Sequence, residues 1–96
     1  MYGIIVTMTV RDEQRGAFEG LVQALAAAVK SHEPGNLEYR ILRNRAAPTS
    51  YRIVEIYASK EAFKRHLAAD YVRNTTPLVQ NTLSGPPEVE VVEVVA

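Results

Sequence analysis

Apolar positions along the chain switch between a period of two and a period near 3.6, and the switches predict its elements. From Tyr2 to Val10 both alternating sets are apolar or β-branched, with Tyr2, Ile4, Val6 and Met8 on one side and Ile5, Thr7 and Thr9 on the other. That is the pattern of a strand covered on both faces. Asp12 offers a helix N-cap, and from Glu13 to Ser31 the residues Phe18, Leu21, Val22, Leu25, Ala28 and Val29 recur every three or four positions, which predicts a helix with one apolar stripe. Pro34-Gly35 stops it.

Leu37, Tyr39 and Ile41 then alternate with Glu38, Arg40 and Leu42 as a second strand, and Asn44 to Ser50 turns the chain. Tyr51 to Ala58 alternates again, with Tyr51, Ile53, Glu55 and Tyr57 on one face. Ser59 caps a short helix through about Ala69 that carries Ala62, Phe63, His66 and Leu67 on neighbouring rows. Thr76-Pro77 predicts a second cap, with one or two helical turns from Leu78 to Leu83 ended by Gly85-Pro86-Pro87. A valine-rich strand from Glu88 to Val95 closes the sequence.

The order β-α-β-β-α-(α)-β predicts one domain over residues 1–96. Its class is α+β: a ferredoxin-like, four-stranded antiparallel sheet with helices packed on one face. The other face then has no cover within the monomer, although strands one and three are apolar on both sides. A patch of that kind is rarely left in water, so two copies are expected to pair sheet to sheet as a homodimer. A chain this short buries on the order of two-thirds of its unfolded surface, which adds to the case.

Eleven basic side chains balance eleven acidic ones, and no run of like charge occurs. Neither nucleic acid nor membrane is therefore an expected partner. Arg40, Arg43, Arg45 and Arg52 flank a strand-turn-strand and read as a solvated edge. Without cysteine there is no disulfide or thiolate chemistry. The first residues lack a basic leader, and their apolar run is far shorter than the roughly 18 residues of a membrane span, so the expected location is the cytoplasm. Two histidines in unrelated elements do not compose a metal site, and no phosphate loop or dinucleotide fingerprint occurs. No cofactor is expected.

Four local patterns together resemble the antibiotic biosynthesis monooxygenase family of dimeric α+β barrels. They are Glu33-Pro34-Gly35 with Tyr39 after it, Glu55-x-Tyr57, the helix start Ser59-x-Glu61-Ala62, and His66 with Tyr71 five residues on. The resemblance implies a cofactor-independent oxygenase that turns an aromatic polyketide or hydroquinone into a quinone with O2. It leaves open a non-oxidative isomerase or a small-ligand binding module on the same barrel. Haem-degrading relatives carry asparagine, tryptophan and histidine where this chain aligns Thr7, His66 and Thr76, and the chain has no tryptophan, which argues against that branch.

Oxidation without a cofactor asks for an apolar cavity, a base, and donors for the ring oxygens of the substrate. Imidazole exchanges protons between about pH 5 and pH 8, which makes His66 the candidate catalytic base. Tyr57, Tyr51, Phe63, Leu67 and Tyr71 are the candidate substrate-binding residues, around a cavity expected between the otherwise exposed sheet face and the helices after Ser59. Glu55 is expected to serve structure, and His32 to serve the C-terminal end of its helix.

Overall fold

The computed structural model describes residues 1–96. In it β1 (Tyr2–Thr9) pairs on one side with β3 (Ser50–Tyr57) and on the other with β4 (Glu88–Glu93). The strand with two apolar sides is therefore interior. β2 (Asn36–Arg43) joins beyond β3, and the order β2-β3-β1-β4 has every neighbouring pair antiparallel. With α1 (Arg15–His32), α2 (Lys60–Ala68) and α3 (Asp70–Gln80), this is the expected α+β ferredoxin-like arrangement.

β3 decides the two sides of the sheet. Tyr51, Ile53, Glu55 and Tyr57 are buried, and the residues between them are only half-buried. Pairing sets Glu55 between Ile4 and Tyr39, and Ile53 between Val6 and Ile41, on that inner face. Phe18 and Val22 from α1 and Val79 from α3 close over Met8, Tyr51 and Ile53, with the Phe18 and Tyr51 rings 4.6 Å apart. Each such side chain stabilises the fold by about 1.5–3 kcal/mol through burial. Leu25, Val29 and Val72 form a second cluster where α1 meets α3.

The outer face is left without a helix. Ile5, Val54, Ile56 and Val92 there are half-buried. It carries Arg52 on β3, Arg40 on β2 paired with Glu38 at 2.9 Å, and Glu88 and Glu90 on β4.

Local details depart from expectation at four places. Asp12 does not cap α1; it lies in a 3-10 turn (Asp12–Gln14) and pairs with Arg15 at 3.3 Å, and no side chain caps the start of α1. Leu37 falls at a register shift between Asn36 and Glu38, so it leaves the face of Tyr39 and Ile41 and is half exposed. Thr76-Pro77 does not start a helix, because α3 runs unbroken from Asp70 with Pro77 inside it. The Thr76 hydroxyl donates instead to Val72 O one turn back, at 2.8 Å, an alternative use of a threonine within a helix. Finally, β4 stops at Glu93 rather than Val95.

Candidate active site

Ser59 accepts a hydrogen bond from Ala62 N at 3.1 Å and so starts α2 where β3 ends. Just before it, Ala58 N donates to Gly35 O at 2.8 Å, which ties the strand exit to the Glu33-Pro34-Gly35 turn. A Cβ on Gly35 would stand 2.7 Å from Ala62 Cβ, so the missing side chain is what lets α2 lie against the turn. Ala62 and His66 share a helix face at i and i+4. With Ala62 seated on Gly35, the imidazole arrives beside Glu33.

His66 is 4% exposed. Its Nδ1 lies 3.0 Å and 2.9 Å from the two oxygens of Glu33. A carboxylate only accepts, so Nδ1 carries a hydrogen and donates it, and in the neutral ring the lone pair is on Nε2. Tyr71 also donates its hydroxyl to Glu33. On the other side of the ring, Nε2 is 3.7 Å from Glu55 Oε1, beyond hydrogen-bond reach. The Tyr57 hydroxyl donates to that same oxygen at 2.6 Å. The chain thus builds a row, Tyr71, Glu33, His66, Glu55, Tyr57, out of a turn, two helices and a strand.

Burial, the largest cause, raises the Glu55 carboxyl above its ordinary range, and the negative charge of Glu33 adds to it; the Tyr57 hydrogen bond and the charge of His66 oppose. Tyr57 and Tyr39 are pushed up first by burial and then by Glu55, and Tyr71 by burial and then by its bond to Glu33. All three phenols therefore stay protonated and can act as donors.

His66 and Glu55 border an apolar cavity of about 220 Å³ between the inner sheet face and the helices. Val6, Met8 and Ile53 floor it, Leu25 and Val72 wall it, and its ionisable lining groups are Tyr39, Glu55 and His66. On the far side of the ring, Glu33 and Tyr71 line a separate groove of about 190 Å³ with Arg65 and Asn36. A larger groove of about 560 Å³ along α1 and β2 is lined by Lys30, Glu38 and Arg40 and has no buried base. No three His, Asp or Glu side chains converge in a metal-holding group.

The expected residues divide among these surroundings. Phe63, His66 and Leu67 line the cavity. Tyr57 is fully buried behind its wall, its ring 5.3 Å from Phe63 and 5.5 Å from His66. Tyr51, expected at the wall, instead donates its hydroxyl to Glu19 of α1 at 2.6 Å, because it sits three inward positions further than Tyr57 from the α2 end of β3. Tyr71, also expected there, faces the groove. The cavity itself is on the helix-covered face, not on the open face where it was expected. His32 bonds Ala28 O at 2.9 Å, near the C-terminal end of α1 as foreseen. Thr7, in the first of the three haem-branch positions, is on the outer face, paired with Arg52 and Glu88. Sequence reasoning did not find Glu33 as the partner of His66; its place in the turn that resembles the family was the available signal.

Comparisons with known proteins agree with this architecture. The family model described as antibiotic biosynthesis monooxygenase matches residues 1–77. A candidate antibiotic biosynthesis monooxygenase of Caulobacter crescentus CB15, known from its crystal structure, is 33% identical; the match covers 99% of this chain and 90% of that one with a TM-score of 0.94. A candidate of the same kind from Nitrosomonas europaea is 21% identical over the whole of both chains, TM-score 0.93. Rv0793 of Mycobacterium tuberculosis is 21% identical over 99% of this chain and 95% of its own, TM-score 0.90. Among curated proteins none matches.

Proposed function

Because the chain belongs to the antibiotic biosynthesis monooxygenase family, we propose that it is a monooxygenase working without a cofactor. Its substrate is an electron-rich aromatic polyketide or hydroquinone, which it converts to a quinone with O2. One observation carries this reading: a buried imidazole, held through Nδ1 by Glu33, turns its free Nε2 toward an apolar cavity. Nε2 takes the acidic proton of the substrate, and the resulting anion passes electrons to O2 in surroundings that exclude water. Glu33 orients the ring and balances the imidazolium that forms, as a carboxylate behind a histidine base does.

An apolar cavity of about 150 Å³ admits benzene. The 220 Å³ here accordingly suits a substituted single ring or a small fused pair, with larger substrates protruding past Leu67 and Val89, both exposed. Phe63 and Leu67 contact the ring, and Tyr57 acts through Glu55. No helix is long and apolar enough to cross a membrane, which fits a cytoplasmic enzyme. We take residues 1–96 as one domain and the working form as a homodimer joined through the outer sheet face.

The test is O2 uptake by metal-free protein over a panel of hydroquinones and anthrones. Uptake with quinone formation supports the reading. Rates equal to buffer throughout would move the chain to the isomerase or ligand-binding alternative.

A further inference from the structure

Glu55 is 5% exposed. One of its oxygens accepts from Tyr57. The other takes no hydrogen bond from the chain, yet it is not sealed in, since the one fully buried side-chain polar atom without a hydrogen bond is Arg15 Nε, which has only its ion pair with Asp12. Glu55 therefore opens onto the cavity it lines. A purely structural role at this place would be met better by a glutamine, which satisfies Tyr57 without the cost of burying a charge.

We propose that Glu55 is a second catalytic residue, the acid that gives a proton to the departing peroxide oxygen, and that it shares this proton with His66. The proposal rests on the oxygenase reading above. In the first step Nε2 of His66 removes the substrate's acidic proton. The anion then gives two electrons to O2, forming a carbon–oxygen bond, and the new peroxide takes the proton back from Nε2 as a hydroperoxide. In the second step Nε2 removes the remaining hydrogen on that carbon. Its electron pair becomes the C=O bond, the O–O bond breaks, and the leaving hydroxide takes the Glu55 proton as water. The sum is substrate plus O2 to quinone plus water, with two substrate hydrogens in the water.

That leaves His66 protonated and Glu55 ionised, 3.7 Å apart. A small side-chain rotation closes the gap and returns the proton to Glu55. Of the groups facing this carboxyl, Glu33 behind His66 favours keeping it there, while Tyr39 opposite on β2 and Ile4 opposite on β1 carry no charge. The Tyr57 hydrogen bond and His66, once charged, oppose it; burial outweighs the first, and the charge of His66 vanishes with the transfer.

The experiment follows the fate of 18O2 in wild type, Glu55→Gln and Glu19→Gln. Wild type is expected to place one label in the quinone and one in water. Glu55→Gln should still take up O2 but form quinone on the order of 10²-fold more slowly, releasing hydroperoxide. Glu19→Gln removes a carboxyl that does not line the cavity, so its ratio of quinone to O2 should match wild type. A wild-type ratio in Glu55→Gln overturns the proposal. A second measurement needs no turnover: the 13C signal of the Glu55 carboxyl, titrated in wild type and His66→Gln. Its midpoint should rise when His66 is lost, and an unmoved midpoint overturns the shared proton. If wild type takes up no O2 at all, the oxygenase reading and the hydroperoxide step fall together, and the titration alone then decides the pair.

Discussion

Glu33 and His66 are thirty-three positions apart in sequence and joined by a hydrogen bond of 2.9 Å, and this bond selects which nitrogen of the ring faces the cavity. Partners that orient a working histidine in this way cost about 10- to 100-fold when replaced. Glu33→Gln keeps an acceptor for Nδ1–H but loses the charge behind the ring, and should fall within that range, mostly in kcat. Glu33→Ala should fall further. Equal kinetics in both variants would leave Glu33 with a structural role only.

His66→Ala should lower turnover by about 10²- to 10⁴-fold. Because the ring is buried between two carboxyl groups, the change should also cost about 1–3 kcal/mol of stability. His66→Asn supplies an amide that can donate to Glu33, and should recover much of the stability and none of the rate. Denaturant melts run beside the kinetics separate the two effects.

Gly35→Ala should destabilise the fold by about 1–3 kcal/mol, the usual cost of overpacking, since its new methyl meets Ala62 at 2.7 Å. Activity should drop more than stability, because α2 carries His66 away from Glu33 as it yields. Adding Ala62→Gly removes the collision, and the double variant should regain most of both. A single variant as active and stable as wild type would show that this contact does not set the site.

The raised Glu55 carboxyl makes stability depend on pH. Between its ordinary value of 4.5 and its raised folded value, the folded protein keeps a proton that the unfolded chain has released. Stability therefore falls as pH rises through that window and is highest below it. Glu55→Gln lacks this term. Melting temperatures taken from about pH 4 to about pH 8 should show the variant gaining on wild type as pH rises; a constant difference would contradict the assignment. Glu19, held low chiefly by Tyr51, has the opposite sign but is common to both proteins and cancels in the comparison.

Light scattering at micromolar concentration should give twice the mass of one chain. Val54→Asp, on the open sheet face among Ile5, Ile56 and Val92, should halve it, whereas the same change at exposed Leu78 of α3 should not. A monomeric wild type would remove the homodimer.

Period alone revealed the strands, α1 and the start of α2, and with them the fold class. It showed that β3 has two faces without showing which one the helices cover, a choice made by pairing with β1 and by where α1 and α3 pack. It misread Thr76-Pro77, because the chemistry that favours a helix start is also tolerated inside a helix when the threonine bonds back to Val72. His66 stood out by type and by family resemblance. Glu33 stood out only as part of the Glu33-Pro34-Gly35 turn, since its role comes from Gly35 letting Ala62 approach, a contact between two motifs that neither shows alone.

His66 is a partition. One edge of its ring borders the cavity, and the other reaches, through Glu33, a groove with its own opening to solvent. A substrate that fills the first compartment leaves the second open, so the entry of organic molecules and the exchange of protons with bulk water follow different roads. Crowding the mouth near Leu67 and Val89 would then slow substrate traffic alone, while small buffers would act only from the rear.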